Sequence, residues 1–463
     1  MTTKSIAVEL APGTSKRRAV LRLGLPAAGE QFLNLLVGLA DTYLVGNMAA
    51  ATVARVGYGT ETALAAVGTA QQIVWTLTTL FMAVAMGTTV LVAREIGAGN
   101  PEEANRVLRQ SLLLGAGVGL LATLLSFIFA RPMMGVLGAA PEVIDQGAVY
   151  LQIATLAMLP AALMFVCSAA LRGAGDTRTP LYAMLVVNAL NIAVAWLLVN
   201  GNLGLPALGV AGSAWGAAVG RGAGGVLLIA ILLRGRSGLK LEALSTLRPR
   251  LMWRVLRLGL PFAAEQFVFQ GALLIFVRVI NSLGVVAFAA HSVTITVESI
   301  SFLPGFGFAV AATTLVSQHL GAHQPEAAEE SGHEAFRQAA IFMGTIGVLL
   351  FLMPRVFLGF FVDDRDVVEM AVRPLQLVGL TQPLLAALFI YSGALRGAGD
   401  VKFPLLSKLF STWLVRLPLA LLLVEVVGWG LTGAWIAMIT DFTIQGIISW
   451  LRFRQGKWRT IKV

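Results

Sequence analysis

Apolar stretches long enough to cross a bilayer recur along the whole chain, at roughly 20–46, 62–87, 108–130, 147–171, 179–200, 208–233, 256–280, 286–314, 336–354, 372–394, 404–425 and 428–451. Lipid offers the backbone no hydrogen-bond partner, so each such stretch must satisfy its own N–H and C=O groups as a helix. The expected fold is therefore an all-α polytopic membrane protein of about twelve transmembrane helices. Composition agrees: 57% of the 463 residues are hydrophobic and only 13% are charged, too few charges to cover a soluble surface. The 49 glycines suit helices that pack closely in lipid.

The net charge of +10 has a topological origin. Of the 34 Lys and Arg residues, Arg55, Arg131, Arg355, Arg365 and Arg373 fall on one side and Arg221, Arg278 and Arg416 within spans. The other 26 lie on the opposite side, which by the positive-inside rule is the cytoplasm and holds both termini. Neither nucleic acid nor an anionic ligand is needed to explain the charge. The cluster Lys16-Arg17-Arg18 runs into a long apolar segment without a small-residue cleavage site, so that segment reads as the first membrane anchor. The single cysteine, Cys167, carries no redox information.

The chain also repeats itself. Arg22-Leu-Gly-Leu-Pro26 followed by Glu30-Gln-Phe32 returns as Arg257-Leu-Gly-Leu-Pro261 followed by Glu265-Gln-Phe267, an offset of 235. Gly97-Ala-Gly-Asn-Pro-Glu102 returns as Gly321-Ala-His-Gln-Pro-Glu326, and Ala170-Leu-Arg-Gly-Ala-Gly-Asp176 as Ala394-Leu-Arg-Gly-Ala-Gly-Asp400, both at 224. An even number of spans per copy makes both copies enter from the same side, so the expected symmetry is a pseudo-twofold axis along the membrane normal. The expected domains are a cytoplasmic tail (1–19), a six-helix lobe (20–233), a cytoplasmic linker (234–255), a second six-helix lobe (256–451) and a second tail (452–463). Two similar lobes suit transport by alternating access.

Charge inside a bilayer is expensive, so every ionisable residue within a span is a candidate functional group. In the first half that residue is Asp41, within Leu39-Ala-Asp-Thr-Tyr43 near the outer part of the first helix. Asn34 lies seven residues earlier on the same face. Desolvation favours the neutral form of a carboxyl, which suits such a group to taking up and releasing a proton. Asp41 could also be a helix-end carboxylate in contact with water, but it is the only acid deep in that half's outer part. Tyr150, Asn188, Asn191 and Ser213 stand at similar depth and can hydrogen-bond a carboxyl or serve as ordinary helix–helix contacts. The second half offers a possible polar network of Arg278, His291, Glu298, Arg416 and Asp441, for which structural ion pairing is the preferred reading. Arg221 could reach an acid across the lobe interface, and Glu30 and Glu265 read as architectural. Pro26 and Pro261 could each seed a helix bend, because proline removes a backbone donor and crowds the preceding turn.

Enzyme signatures are missing. Gly220-Arg-Gly-Ala-Gly-Gly225 lies inside a helix with no preceding strand, and no Walker A stretch or nucleophile elbow occurs. His319, His323 and His333 lack acid or cysteine companions at ligand spacing, so no metal site is expected.

The doubled six-helix unit and the Leu-Arg-Gly-Ala-Gly-Asp stretches at 171–176 and 395–400 resemble the MATE (multidrug and toxic compound extrusion) family. So do Leu39-Ala-Asp-Thr42 and Leu303-Pro-Gly-Phe-Gly307 followed by Ala311-Ala-Thr-Thr-Leu-Val-Ser-Gln318. The match runs from about residue 18 to 457. It implies an inner-membrane antiporter that exports amphipathic, often cationic, organic compounds through a central cleft, works as a monomer and uses no cofactor beyond its coupling ion. The resemblance places a cation site on Asp41 with Asn34, Tyr150, Asn191 and Ser213 around it, and matches Pro26 to a proline linked to helix bending in the proton-coupled, DinF-like branch. That branch often carries a second acid where this chain has Ala195. Sodium-type, NorM-like members carry acids in the seventh and tenth helices, where this chain reads Phe267-Val-Phe-Gln270 and Leu384-Leu-Ala-Ala-Leu-Phe389. Protons are thus the favoured coupling ion and sodium the alternative. A flippase for a lipid-linked precursor is the competing function, since Arg221, Arg278 and Arg416 could form a cationic cleft.

Overall fold

The computed structural model describes residues 15–242, 247–461 and 463. Most of the expected N-terminal tail (1–14), part of the linker (243–246) and Lys462 lie outside the described residues. Among the described residues, eleven helices are long and apolar enough to cross a membrane, and two shorter ones bent by 52° count as a twelfth when the pair is taken as one span. They are α1 (Lys16–Gly46), α2 (Thr60–Gly97), α3 (Pro101–Val136), α4 (Pro141–Leu156 with Met158–Gly173), α5 (Arg178–Val199), α6 (Val210–Arg234), α7 (Pro249–Asn281), α8 (Val285–Gly321), α9 (Pro325–Leu352), α10 (Arg365–Ala398), α11 (Lys402–Val426) and α12 (Gly430–Arg454).

Both sharp irregularities precede a proline. The bend in α4 falls at Ala157, three residues before Pro160. In α3, Phe129 leaves helical geometry (φ −103°, ψ 19°) three residues before Pro132. A proline ring crowds the turn before it and supplies no N–H to close that turn. Pro26 and Pro261, the expected bending points, instead lie inside helices that are continuous from Lys16 to Gly46 and from Pro249 to Asn281.

The chain divides into two compact units. Unit 1 holds Glu30–Val92 and Asn100–Gly259; unit 2 holds residues 15–29, Ala93–Gly99 and Leu260–Val463. The division departs from the expected lobes at 20–233 and 256–451, because the first turns of α1 pack within unit 2 and those of α7 within unit 1. Glycine lets them approach. A Cβ on Gly259 would fall on the Ala83 carbonyl of α2, and one on Gly307 of α8 would fall on the backbone of Ala28 and Gly24. Gly24 and Gly259 are the glycines of the repeated Arg-Leu-Gly-Leu-Pro stretch, so the repeat is visible as two equivalent helix crossings.

In unit 1, α5 and α6 are joined along Gly212, Gly216, Gly220 and Gly224, spaced one turn apart. Cβ atoms at the first three would lie 2.5–2.8 Å from the Leu198, Asn191 and Val187 carbonyl groups. Unit 2 has two apolar centres on α8 and α10, one around Phe308, Tyr391, Phe453 and Trp458 and the other around Phe276, Leu375 and Trp435.

Gly259→Ala is expected to lower stability by about 1–3 kcal/mol, the usual cost of overpacking. Gly222, with nothing within 4 Å of a Cβ, is the control: Gly222→Ala should leave the melting temperature unchanged or raised. Thermal unfolding of the two purified variants beside the parent checks this.

Candidate functional site

Asp41 lies on α1 with its side chain enclosed in unit 1, only 1% exposed. Three other helices bring groups to it, and a fourth reaches it through Tyr150. Asn191 of α5 donates from Nδ2 to Oδ1 at 3.2 Å, and the Tyr150 hydroxyl of α4 donates to Oδ2 at 3.5 Å. Ser213 of α6, fully buried, stands within reach of the carboxyl without closing a hydrogen bond. Gln71 of α2 approaches the Tyr150 hydroxyl, and the charge of Arg221 on α6 acts on Asp41. The glycine stripe explains why α5 and α6 deliver these groups together. Bare backbone at Gly216 and Gly220 closes α6 onto the turn that carries Asn191, which brings Ser213, three residues before Gly216, to the same enclosure.

The enclosure is short of hydrogen-bond partners. Asp41 has one close donor and one long one, while Asn191 Oδ1 and Ser213 Oγ close no hydrogen bond among the described residues. Buried polar atoms left this way are costly. A proton on Asp41 would turn its carboxyl into a donor for either orphan oxygen. The same oxygens are also hard donors able to ligate a small cation.

Not every expected neighbour belongs to this group. Asn34 is exposed and donates to its own helix at Glu30 O, 3.1 Å away. It borders a small cleft with Glu30, Met164, Phe165 and Ser168. Asn188 is buried but serves the backbone, donating to Leu33 O at 3.0 Å and to Met184 O at 2.9 Å, and so pins α5 to α1. Arg221 acts on Asp41 inside unit 1, whereas the sequence suggests a partner across the lobes. Gln71 escapes sequence reading, although Gln71-Gln72 within an apolar span is a detectable signal. In unit 2, His291, Glu298, Arg416 and Asp441 are all buried, whereas Arg278 is exposed.

The Leu-Arg-Gly-Ala-Gly-Asp stretches are helix ends. Gly175 (φ 86°) and Gly399 (φ 92°) take the left-handed geometry that closes the last turn, and the following Asp176 and Asp400 N–H groups donate to Leu171 O and Leu395 O at 2.8 Å. The arginine of each stretch pairs with the glutamate of the other repeated motif: Arg172 with Glu30 at 2.7 Å, and Arg396 with Glu265 at 2.9 Å. Asp176 accepts from Thr179 N (2.9 Å), Thr179 Oγ1 (2.8 Å), Arg236 Nε (2.9 Å) and Ser237 Oγ (3.0 Å). Partial burial pushes its pKa up, but these donors outweigh burial and hold it below the usual aspartate range.

A depressed carboxyl stabilises the fold above its unfolded pKa, about 3.9, and that contribution disappears as pH falls through the lower folded value. Asp176→Asn should therefore cost about 1–2 kcal/mol near neutral pH, the scale of a hydrogen bond to a charged group. Its melting temperature should converge with the parent's as the solution is acidified, which thermal unfolding across pH reads directly.

The MatE family model matches residues 26–197 and 261–422. A relative from Thermotoga maritima, named "Probable multidrug resistance protein NorM", is 33% identical over 96% of this chain and 93% of its own. One of the same name from Pseudomonas aeruginosa is 28% identical over 98% and 91%. Among solved structures, an outward-facing multidrug resistance MATE family transporter of the MOP superfamily superimposes with a TM-score of 0.88 at 21% identity, over 98% of both chains. At that identity the superposition speaks for the fold alone.

Proposed function

This chain belongs to the MatE family, and from that premise we propose that it is a secondary antiporter exporting amphipathic, often cationic, organic compounds in exchange for inward-moving protons. The observation that carries the reading is Asp41, a carboxyl 1% exposed, ringed by groups from other helices and left with too few donors. A proton needs a single acceptor, and Asn191 Oδ1 and Ser213 Oγ are both unpartnered. A sodium ion needs several ligands at once and would compete with the Asn191 N–H already on the carboxylate. Protons are therefore favoured over sodium.

The cycle follows from linkage. Only a ligand that binds two states unequally shifts their balance, so proton and substrate must act against each other through Asp41 or its surroundings. Facing outward, Asp41 takes a proton and substrate leaves; facing inward, the proton leaves and substrate binds. Both termini are placed in the cytoplasm and the protein in the inner membrane, working as a monomer. Pro26 and Pro261 are the candidate bending points, and unchanged transport by Pro26→Ala would remove the first from the mechanism. A lipid-linked precursor flippase would need its cations gathered in a cleft. Arg416 is buried and already engaged with the Phe276 ring and the charges of Asp441 and Glu298, which weighs against that alternative.

The test is efflux of a fluorescent organic cation from liposomes holding the full chain, under an imposed pH gradient or an imposed sodium gradient. Efflux driven by the proton gradient alone is the expected result. Efflux driven by sodium alone would overturn the proton assignment, and no efflux of several organic cations under either gradient would overturn the exporter.

A further inference from the structure

Away from Asp41, unit 2 encloses a second set of ionisable side chains: His291 and Glu298 from α8, Arg416 from α11 and Asp441 from α12, between 0% and 5% exposed. Phe276 of α7 ties the set together, with the Arg416 guanidinium 4.1 Å from its ring centre and the His291 ring 5.9 Å from it. The charges of Glu298 and Asp441 both act on Arg416, and that of Arg416 acts on His291. α11 is wound as a π-helix over Ser411–Arg416, the stretch that supplies Thr412 and Arg416. Such widened turns are frequent at functional sites. α10 contributes the neutral Gln382, which accepts from Ser301 Oγ at 2.7 Å.

The charges do not balance. One guanidinium can offset one carboxylate, so with both acids ionised the cluster would hold an uncompensated negative charge away from water, which is strongly unfavourable. The two acids are equipped differently. Asp441 accepts from Gln445 Nε2 at 2.7 Å and from Thr412 Oγ1 at 3.2 Å, an environment made for a carboxylate. Glu298, 5% exposed, accepts no hydrogen bond among the described residues. Arg416 Nε and His291 Nδ1 are buried without a partner among the described residues.

We propose that this cluster is a second proton-binding site, separate from Asp41, in which Glu298 takes up one proton while Asp441 stays ionised as the counter-charge of Arg416. An O–H bond forms on a Glu298 carboxylate oxygen with a proton from solvent, and the same bond breaks on release. The site is independent of what the protein carries.

Infrared difference spectroscopy of the full chain in liposomes tests it, by following the C=O stretch of protonated carboxyls as pH is raised. The parent should lose two such bands. Asp41→Asn should retain only the Glu298 band, Glu298→Gln only the Asp41 band, and the double variant neither. Asp441→Asn adds a sharper check. With Asp441 neutral, Glu298 becomes the sole counter-charge of Arg416, so its band should vanish from the titration. If Glu298→Gln does not fold, Glu298→Asp should show a titrating band at a displaced frequency. Unchanged bands in Glu298→Gln would overturn the proposal, as would a Glu298 band that stays protonated at every pH. No substrate enters these measurements, so the antiporter reading can fail while this site stands, or the reverse.

Discussion

Asp41→Asn is expected to reduce proton-driven efflux of a fluorescent organic cation to the rate of protein-free liposomes, with the protein still folded. The amide has nearly the shape of the carboxyl: its oxygen can still accept from Asn191 Nδ2, and its NH2 can donate to the Tyr150 hydroxyl. It cannot gain or lose a proton. Substrate binding gives the companion measurement. Typical coupling energies predict that the parent's affinity for an organic cation changes about 5- to 150-fold between the protonated and deprotonated states, tighter as the proton leaves. In Asp41→Asn that dependence on pH should be flat. Proton-driven efflux that survives in Asp41→Asn would move the coupling group elsewhere in the chain.

Glu265→Ala should be the most damaging substitution for stability. Arg396 Nη2 reaches both Glu265 carboxylate oxygens at 2.9 Å and Lys408 Nζ reaches one at 3.2 Å, with the glutamate only 6% exposed. Removing it strands two cations in a place with little water, and breaking a buried pair from one side costs about 3–5 kcal/mol. Thermal unfolding of the detergent-purified variant should show a large drop, or the variant should fail to accumulate in the membrane. Glu30→Ala removes the equivalent partner of Arg172, but unit 1 has Met184 where unit 2 has Lys408, so one cation rather than two loses its glutamate and the loss should be smaller. Equal losses from the two variants would mean that Lys408 contributes nothing.

The number of spans, the all-helical fold and the doubling were legible in the sequence because each rests on a local rule. A segment in lipid must satisfy its own backbone, so about twenty apolar residues declare a helix whatever surrounds them. Asp41 was legible for the same reason, since an acid within an apolar stretch is conspicuous by itself. Its neighbours were not. Asn34 and Asn191 are the same residue type in similar surroundings, yet only Asn191 touches the carboxyl. Seven residues along a rigid helix set Asn34 about 10 Å from Asp41 however well their faces agree. Asn191 arrives from 150 positions away because α5 packs on α1, where Asn188 holds the Leu33 carbonyl, and glycines then let α6 bring Ser213 to the same place. The exposure of Arg278 and the pairing of each motif's arginine with the other motif's glutamate were settled the same way. Each depends on how far a side chain reaches between helices, a distance that only the packed helices set.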